Sequence, residues 1–191
     1  MNELEYEVLG KKYREIWVTS DLHFGHKNVL KFCPTTRPWR DVDEMNFKLK
    51  ESWNNQVQEN DLVIVVGDFS FMNEVDTVYT LQTLKGSKAL IVGNHDMKMM
   101  DRFNFRKEFI FTRDLVSLVI KGQKYVFCHF PIYEWDSMQR GSMHIHGHCH
   151  GNRPINSVGG RIIDAGWDAQ GRLLKLSEIK DFLIDKEIRT H

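Results

Sequence analysis

A chain of 191 residues is long enough to bury a full hydrophobic core and fits a single domain. Hydrophobic residues make up 41% and charged residues 27%, and 26 Lys plus Arg balance 26 Asp plus Glu, so net charge gives no reason to expect a polyanionic partner such as nucleic acid. No apolar run approaches the about 18 residues of a membrane span, and the N-terminal stretch MNELEYEVLGKKYREI has no signal-peptide core, which together predict a cytoplasmic protein.

In chain order, EIWVTS (15–20) has the character of a buried strand. Residues 41–57, DVDEMNFKLKESWNNQV, predict a helix with apolar positions at 42, 45, 49 and 53. LVIVVG (62–67) predicts a second buried strand, EVDTVYTLQTL (74–84) a helix ended by Gly86, and ALIVG (89–93) a third strand. LVSLVIKGQKYVFCH (115–129) has the pattern of a hairpin turning at Gly122-Gln123. SMHIHG (142–147), RIIDA (161–165) and RLLKL (172–176) predict further strands, and SEIKDFLIDK (177–186) a final helix capped by Ser177. Helices alternating with all-apolar strands imply an α/β fold with a covered sheet, and the later hairpin makes the sheets mixed rather than purely parallel. Cys33, Cys128 and Cys149 form no CxxC and are odd in number, which fits reduced thiols and argues against a structural zinc site.

Chemistry enters at the strand ends. WVTS runs out into Asp21-Leu22-His23, VIVVG into Asp68, LIVG into Asn94-His95-Asp96, YVFC into His129, and MHIHG into His148-Cys149-His150. Ligands in α/β sheets bind at the carboxyl ends of strands, so these exits predict one common site. Asp21, His23, Asp68, Asn94, His129, His148 and His150 offer oxygen and nitrogen donors in excess of one tetrahedral zinc. They suit two divalent ions about 3.5–4 Å apart sharing a bridging carboxylate. Extended backbone would point i and i+2 to one face, bringing each pair of D-x-H and H-x-H to the cluster and turning Leu22 and Cys149 away.

The ordered blocks DLH, GD, GNHD, a lone His and GHCH resemble the calcineurin-like metallophosphoesterases, whose pattern is D-x-H, G-D, G-N-H-[DE], H and G-H-x-H. The wider wording, TSDLHFGHKN with GDFSF and HGHCHG, is similar to a small bacterial and phage branch of that family. The resemblance implies two mixed β-sheets packed as a sandwich flanked by helices, with residues 1–191 as one domain lacking a cap. It implies that Asp21, His23, Asp68 and His150 hold one ion and Asp68, Asn94, His129 and His148 the other. His95 would protonate the leaving oxygen, with Asp96 orienting its ring, while a metal-bound hydroxide attacks phosphorus in line. The donor set favours Mn2+, with Fe, Ni, Zn or Mg compatible.

Other residues carry weaker signals. His26 and Asn28 could touch substrate phosphate or cap the next helix. Arg37 and Arg140 could clamp a phosphate, although a loop arginine is more often a solvated charge. His146 could orient a ligand from behind, whereas His144 reads as a strand residue. Trp39, Trp53, Trp135 and Trp167 have no spacing that builds a base-stacking platform and predict packing. With little room for a cap between motifs, the site should be open, which favours a phosphodiesterase acting on a small or nucleotide-type substrate. The alternatives are a phosphomonoesterase, including a nucleotide or protein phosphatase, and, from another class, a metal-binding scaffold without turnover. The H-x-H-x-D-H string of metallo-β-lactamase-type hydrolases is absent.

Overall fold

The computed structural model describes residues 6–152 and 159–190. It opens on a hairpin the sequence pattern does not reveal, β1 (Tyr6–Val8) against β2 (Lys11–Tyr13), whose three-residue strands are too short to show alternation. The central sheet follows. β3 (Ile16–Thr19), β4 (Leu62–Val65), β5 (Ser87–Ile91) and the two-residue β6 (Thr112–Arg113) lie parallel in that order. β11 (Leu174–Lys175) adds antiparallel to the outer side of β3.

Crossovers carry the helices. α1 (Val29–Phe32) and α2 (Val42–Gln56) join β3 to β4, α3 (Glu74–Thr83) joins β4 to β5, and a 3-10 turn at Met97–Met99 with α4 (Phe103–Arg106) joins β5 to β6. α2 starts where predicted because the Asp41 carboxylate accepts the Glu44 N–H at 2.9 Å, and Asn73 caps α3 through the Asp76 N–H. α3 stops before Gly86, at Thr83, with Leu84 already extended.

The second sheet holds β7 (Leu115–Ile120), β8 (Gln123–Cys128), β9 (Met143–His146) and β10 (Ile162–Asp164) in the order β10-β9-β8-β7. β7 and β8 are antiparallel, while β8–β9 and β9–β10 are parallel. The hairpin turns at Lys121-Gly122, one residue earlier than predicted: both have positive φ (47° and 77°), and Ile120 pairs with Gln123. Two positive φ angles define the tight turn whose twist matches a hairpin. α5 (Trp167–Gln170) and α6 (Leu176–Ile184) complete the elements. Ser177 lies inside the first turn of α6 rather than capping it; the Glu178 carboxylate accepts the Lys175 N–H at 2.8 Å instead.

Alternation along β3 explains the layers. Ile16 and Val18 face Phe127, Met143 and Ile145 of the second sheet, forming the core between the sheets. Trp17, with Val63 and Val65 of β4, faces Met45, Leu49 and Trp53 of α2. The fold is the expected two-sheet sandwich of mixed sheets flanked by helices. Trp53, Trp135 and Trp167 are buried, and Trp39 packs beside Trp167. Among the described residues no helix is long and apolar enough to cross a membrane.

Candidate metal centre

The site is built just past the strand ends, and its backbone is turned rather than extended. Asp21 (φ 54°), His23 (54°), Asp68 (55°), His148 (68°) and His150 (49°) all occupy the left-handed region. The period-two reading of D-x-H and H-x-H is therefore corrected, and with it the placement of Cys149, which lines the cleft instead of facing away. Left-handed backbone costs a non-glycine residue about 1–2 kcal/mol, so something must hold it. The holding bonds are Asp21 N–H to the Gly67 carbonyl (3.0 Å), His23 N–H to Asp68 (3.1 Å) and Phe24 N–H to Phe69 (3.0 Å). They extend the β3–β4 pairing into the loops.

Each central carboxylate divides its two oxygens between tasks. Asp21 Oδ2 accepts the His148 backbone N–H at 2.9 Å, and Asp68 Oδ1 accepts that of His95 at 2.9 Å. The other oxygen of each faces imidazoles. Asp21 Oδ1 lies 3.7 Å from Nε2 of both His23 and His150, and it is buried without a hydrogen-bond partner. Asp68 Oδ2 lies 3.5 Å from His129 Nε2, 3.8 Å from His23 Nε2 and 3.9 Å from His95 Nε2. Burial opposes charge on both carboxyls, yet the imidazoles hold both below the usual range.

The imidazole tautomers follow from their outer bonds. His129, fully buried, donates Nδ1–H to the Val66 carbonyl at 2.8 Å, which turns the Nε2 lone pair toward Asp68 and toward Asn94 Oδ1 at 3.2 Å. His150 holds its Nδ1 proton against Asp168 at 2.6 Å, leaving Nε2 3.2 Å from His23 Nε2. The lone pairs of His150 and His129, directed at His23 Nε2 and at carboxylate and amide oxygens, need a cation or a proton opposite them. Burial works against a proton on His129, but Asp68 beside it raises that ring to about 9. The donor chemistry thus fits divalent ions in two groups, Asp21/His23/His150 and Asp21/Asp68/His129, each with donor atoms within 4.8 Å of one another. A third such group, Cys33/His150/Asp168, is disfavoured, because Asp168 already accepts from Arg37, Thr36 and His150.

Asp168 is the residue the sequence reading missed. It lies in the first turn of α5, just past β10, so the strand-end rule applied to the other motifs could have found it in IIDAGWD. Its partner Arg37 corrects a second expectation. Arg37 is 1% exposed, and its guanidinium is spent on Asp168 (2.9 Å twice), the Asp21 carbonyl (2.5 Å) and the Leu22 carbonyl (2.9 Å). No face of it remains for substrate. It braces the backbone of Asp21 and, through Asp168, the ring of His150.

The other expected residues spread widely. Asn94 and His148 are exposed at the mouth, with His148 packed edge-on to His129 and Phe130. His95 stands half-exposed beside Asp68. Asp96 does not orient the His95 ring: its buried carboxylate accepts the backbone N–H groups of Gly93, Asp68 and Phe69, tying the β4 and β5 loops together. Burial pushes this carboxyl up to about 6. His26 lines the cleft, stacked on Phe71; burial, with the neighbouring imidazoles, pushes it down to about 4. Asn28 is exposed at the start of α1 with no side-chain cap, and Arg140 sits in a 3-10 turn at Met138–Arg140, outside the cleft lining. His146 is buried with Nδ1 on the Gly147 carbonyl, and His144 bolts β9 to the Val126 carbonyl and the Ile132 N–H.

Two motif glycines are explained by close approach. A Cβ on Gly93 would overlap Asp68 Oδ1, and one on Gly147 would overlap Ser20 Oγ and Asp21 Oδ2. Gly147→Ala should therefore cost about 2 kcal/mol as an overpacked site, about 4–8 °C in Tm, and weaken metal binding. Thermal melts with and without Mn2+ check this, and an unchanged Tm would contradict it.

A cleft of about 480 Å3 opens on this cluster, reaching from His23, His95, His148 and His150 to Val29, Phe32 and Phe71. Comparison with known proteins agrees with the architecture. A solved structure from Aquifex aeolicus, described as a protein of unknown function AQ665, superposes with a TM-score of 0.69 at 19% identity, over 88% of this chain and 99% of that one. The uncharacterized protein MJ1445 of Methanocaldococcus jannaschii is 33% identical over 141 residues, 73% of this chain and 71% of its own length. The Gene 66 protein of Mycobacterium phage L5 is 28% identical over 195 residues, 87% of this chain and 93% of its own. The model of the calcineurin-like phosphoesterases matches residues 14–180, which include all five strand-end motifs, and the chain belongs to that family of generally metal-dependent hydrolases of phosphate esters.

Proposed function

We propose that this protein hydrolyses phosphodiesters at a dinuclear divalent-metal centre. The observation that carries the reading is the convergence on Asp68 Oδ2 of three imidazole Nε2 atoms, of His129, His23 and His95, at 3.5–3.9 Å. In this reading Asp21, His23, Asp68 and His150 hold one ion, and Asp68, Asn94, His129 and His148 hold the other. Mn2+ suits the oxygen and nitrogen donors. When bound, the ions supply Lewis acidity to the phosphoryl oxygens and activate water for in-line attack.

The remaining work falls to the chain. Asp68 bridges the two halves and holds the His95 loop through its second oxygen. His95, half-exposed at the mouth, delivers a proton to the departing oxygen. Asp96 fixes the loop that carries it rather than the ring itself. A diester is preferred to a monoester because no Lys or Arg is among the described residues lining the cleft. A dianionic monoester would ask for more positive charge there than a monoanionic diester.

The test is hydrolysis of bis-p-nitrophenyl phosphate against p-nitrophenyl phosphate by protein stripped with chelator and reloaded with Mn2+. The diester should be cleaved faster, and chelation should stop turnover. His95→Ala should keep its metal and lose about 10²–10⁴-fold in kcat. A monoester preference would overturn the substrate assignment. Loss of metal in His95→Ala would make His95 a ligand. Silence on both substrates with two ions bound would replace hydrolysis by a non-catalytic metal-binding role.

A further inference from the structure

The cleft has a wall that metal chemistry does not use. Phe71 lies flat on His26, ring centroids 3.9 Å apart and planes 6° apart, and its ring is 4.5 Å from that of His95. Phe32, on α1, stands edge-on to the outer side of His26 at 6.3 Å. Phe32 is 72% exposed although it lines a concave pocket. A large apolar ring left in water at a cleft is informative, because buried occupants recover that surface. Val29 and Cys33 continue the wall on either side of Phe32.

We propose that this wall is a subsite for a planar aromatic ring carried by the ester group of the substrate, a nucleobase or an aryl group. The inference rests on the phosphodiesterase reading and names the substrate class for it. Two features select a ring. The wall presents the open ring of Phe32 beside a His26 ring that is backed by Phe71, and aromatic pairs gain from offset stacking or edge contact beyond area burial. Stacking of this kind accepts any base, since each has a π-face. The described lining holds no Lys or Arg, and the Lys98 ammonium beside it lies over the Phe71 ring at 4.9 Å, so the wall offers a ring surface rather than a row of cations for further phosphates. Because Phe71 touches His95, the ring sits on the side where the departing oxygen receives its proton. The ring therefore belongs to the leaving group.

The test is calorimetric binding to the Mn2+-loaded protein of methyl phenylphosphonate, methyl butylphosphonate and inorganic phosphate. The two phosphonates carry the same charge, differ in the ring, and hold ring or chain by a P–C bond that hydrolysis does not cleave. Wild type should bind the phenyl compound about tenfold tighter than the butyl compound. In Phe32→Ala the ratio of the two Kd values should fall toward one, while Phe32→Trp should retain it. Phe32 is exposed, so folding is not at stake in either variant. Equal affinity in wild type, or a butyl preference, would overturn the ring in favour of an unselective apolar or alkyl-binding wall. A phenyl preference that survives Phe32→Ala would remove Phe32 from the subsite and overturn the proposal as stated. Failure of the wild type to bind phosphate at all would bring down the phosphoesterase reading, and the subsite with it.

Discussion

Asp68→Asn should lower kcat/KM on the diester by about a thousandfold or more and reduce the bound metal from two ions to one or none. The substitution keeps the shape of the side chain and an oxygen able to accept the His95 N–H, so the loop stays tied. What disappears is the negative charge at the atom facing His129, His23 and His95. A shared ion pair stabilises developing charge by several kcal/mol, and about 4 kcal/mol corresponds to a thousandfold in rate. Elemental analysis of the purified variant, alongside its kinetics, decides the matter. A fully active variant carrying two ions would sink the bridging assignment.

The second large effect is expected away from the donors, at Arg37 and Asp168. Removing Arg37 alone, as in Arg37→Met, should destabilise the fold by about 3–5 kcal/mol, because the Asp168 carboxylate is left buried without its guanidinium. Adding Asp168→Asn should recover part of that loss by removing the stranded charge. Metal binding should not recover. His150 would face a neutral amide in place of the carboxylate that holds its Nδ1 proton, and Asp21 would lose the brace on its carbonyl. A ligand whose outer carboxylate is lost typically costs 10–100-fold in metal affinity. The informative readout is therefore the pair of measurements, chemical denaturation and Mn2+ affinity, on both variants. If the double variant regains affinity along with stability, the pair is a packing device and nothing more.

Asp168 gains its charge by the same arrangement. Burial opposes ionisation, yet His150 and Arg37 hold its carboxyl far below the usual range. That keeps the outer partner of His150 charged across any ordinary pH, and Arg37 cannot be titrated away. The buried position of Asp168 explains why Arg37, in a polar loop of the sequence, ends up 1% exposed.

The strands and long helices were legible because their apolar spacing is local: Ile16 to Thr19 and Leu62 to Val65 are buried on both faces, and α2 follows its Asp41 cap to within a residue. The short β1, β2, β6 and α4 were not, since YEV, KKY, TR and FNFR contain no run of apolar residues to read. The chemistry-bearing residues were legible one motif at a time because each follows a strand, and parallel strands deliver their carboxyl ends to one edge. Backbone conformation at those ends was not. Left-handed φ at Asp21, His23, Asp68, His148 and His150 depends on hydrogen bonds between loops far apart in sequence, such as Asp21 to Gly67.

By itself, then, the sequence determined the α/β class with mixed sheets and the inventory of carboxylates and imidazoles at the strand ends, and the resemblance of its motifs implied the family and the two-sheet sandwich. The tertiary structure decided what each polar group faces. It turned Arg37 inward onto Asp168, gave Asp96 to backbone N–H groups instead of the His95 ring, brought Cys149 into the cleft, and stacked His26 on Phe71. The physical reason is range. Hydrophobic period and strand-end position are fixed within a few residues, whereas the partner of a buried charge or ring is set by contacts such as that between Arg37 and Asp168, 131 positions apart in the chain.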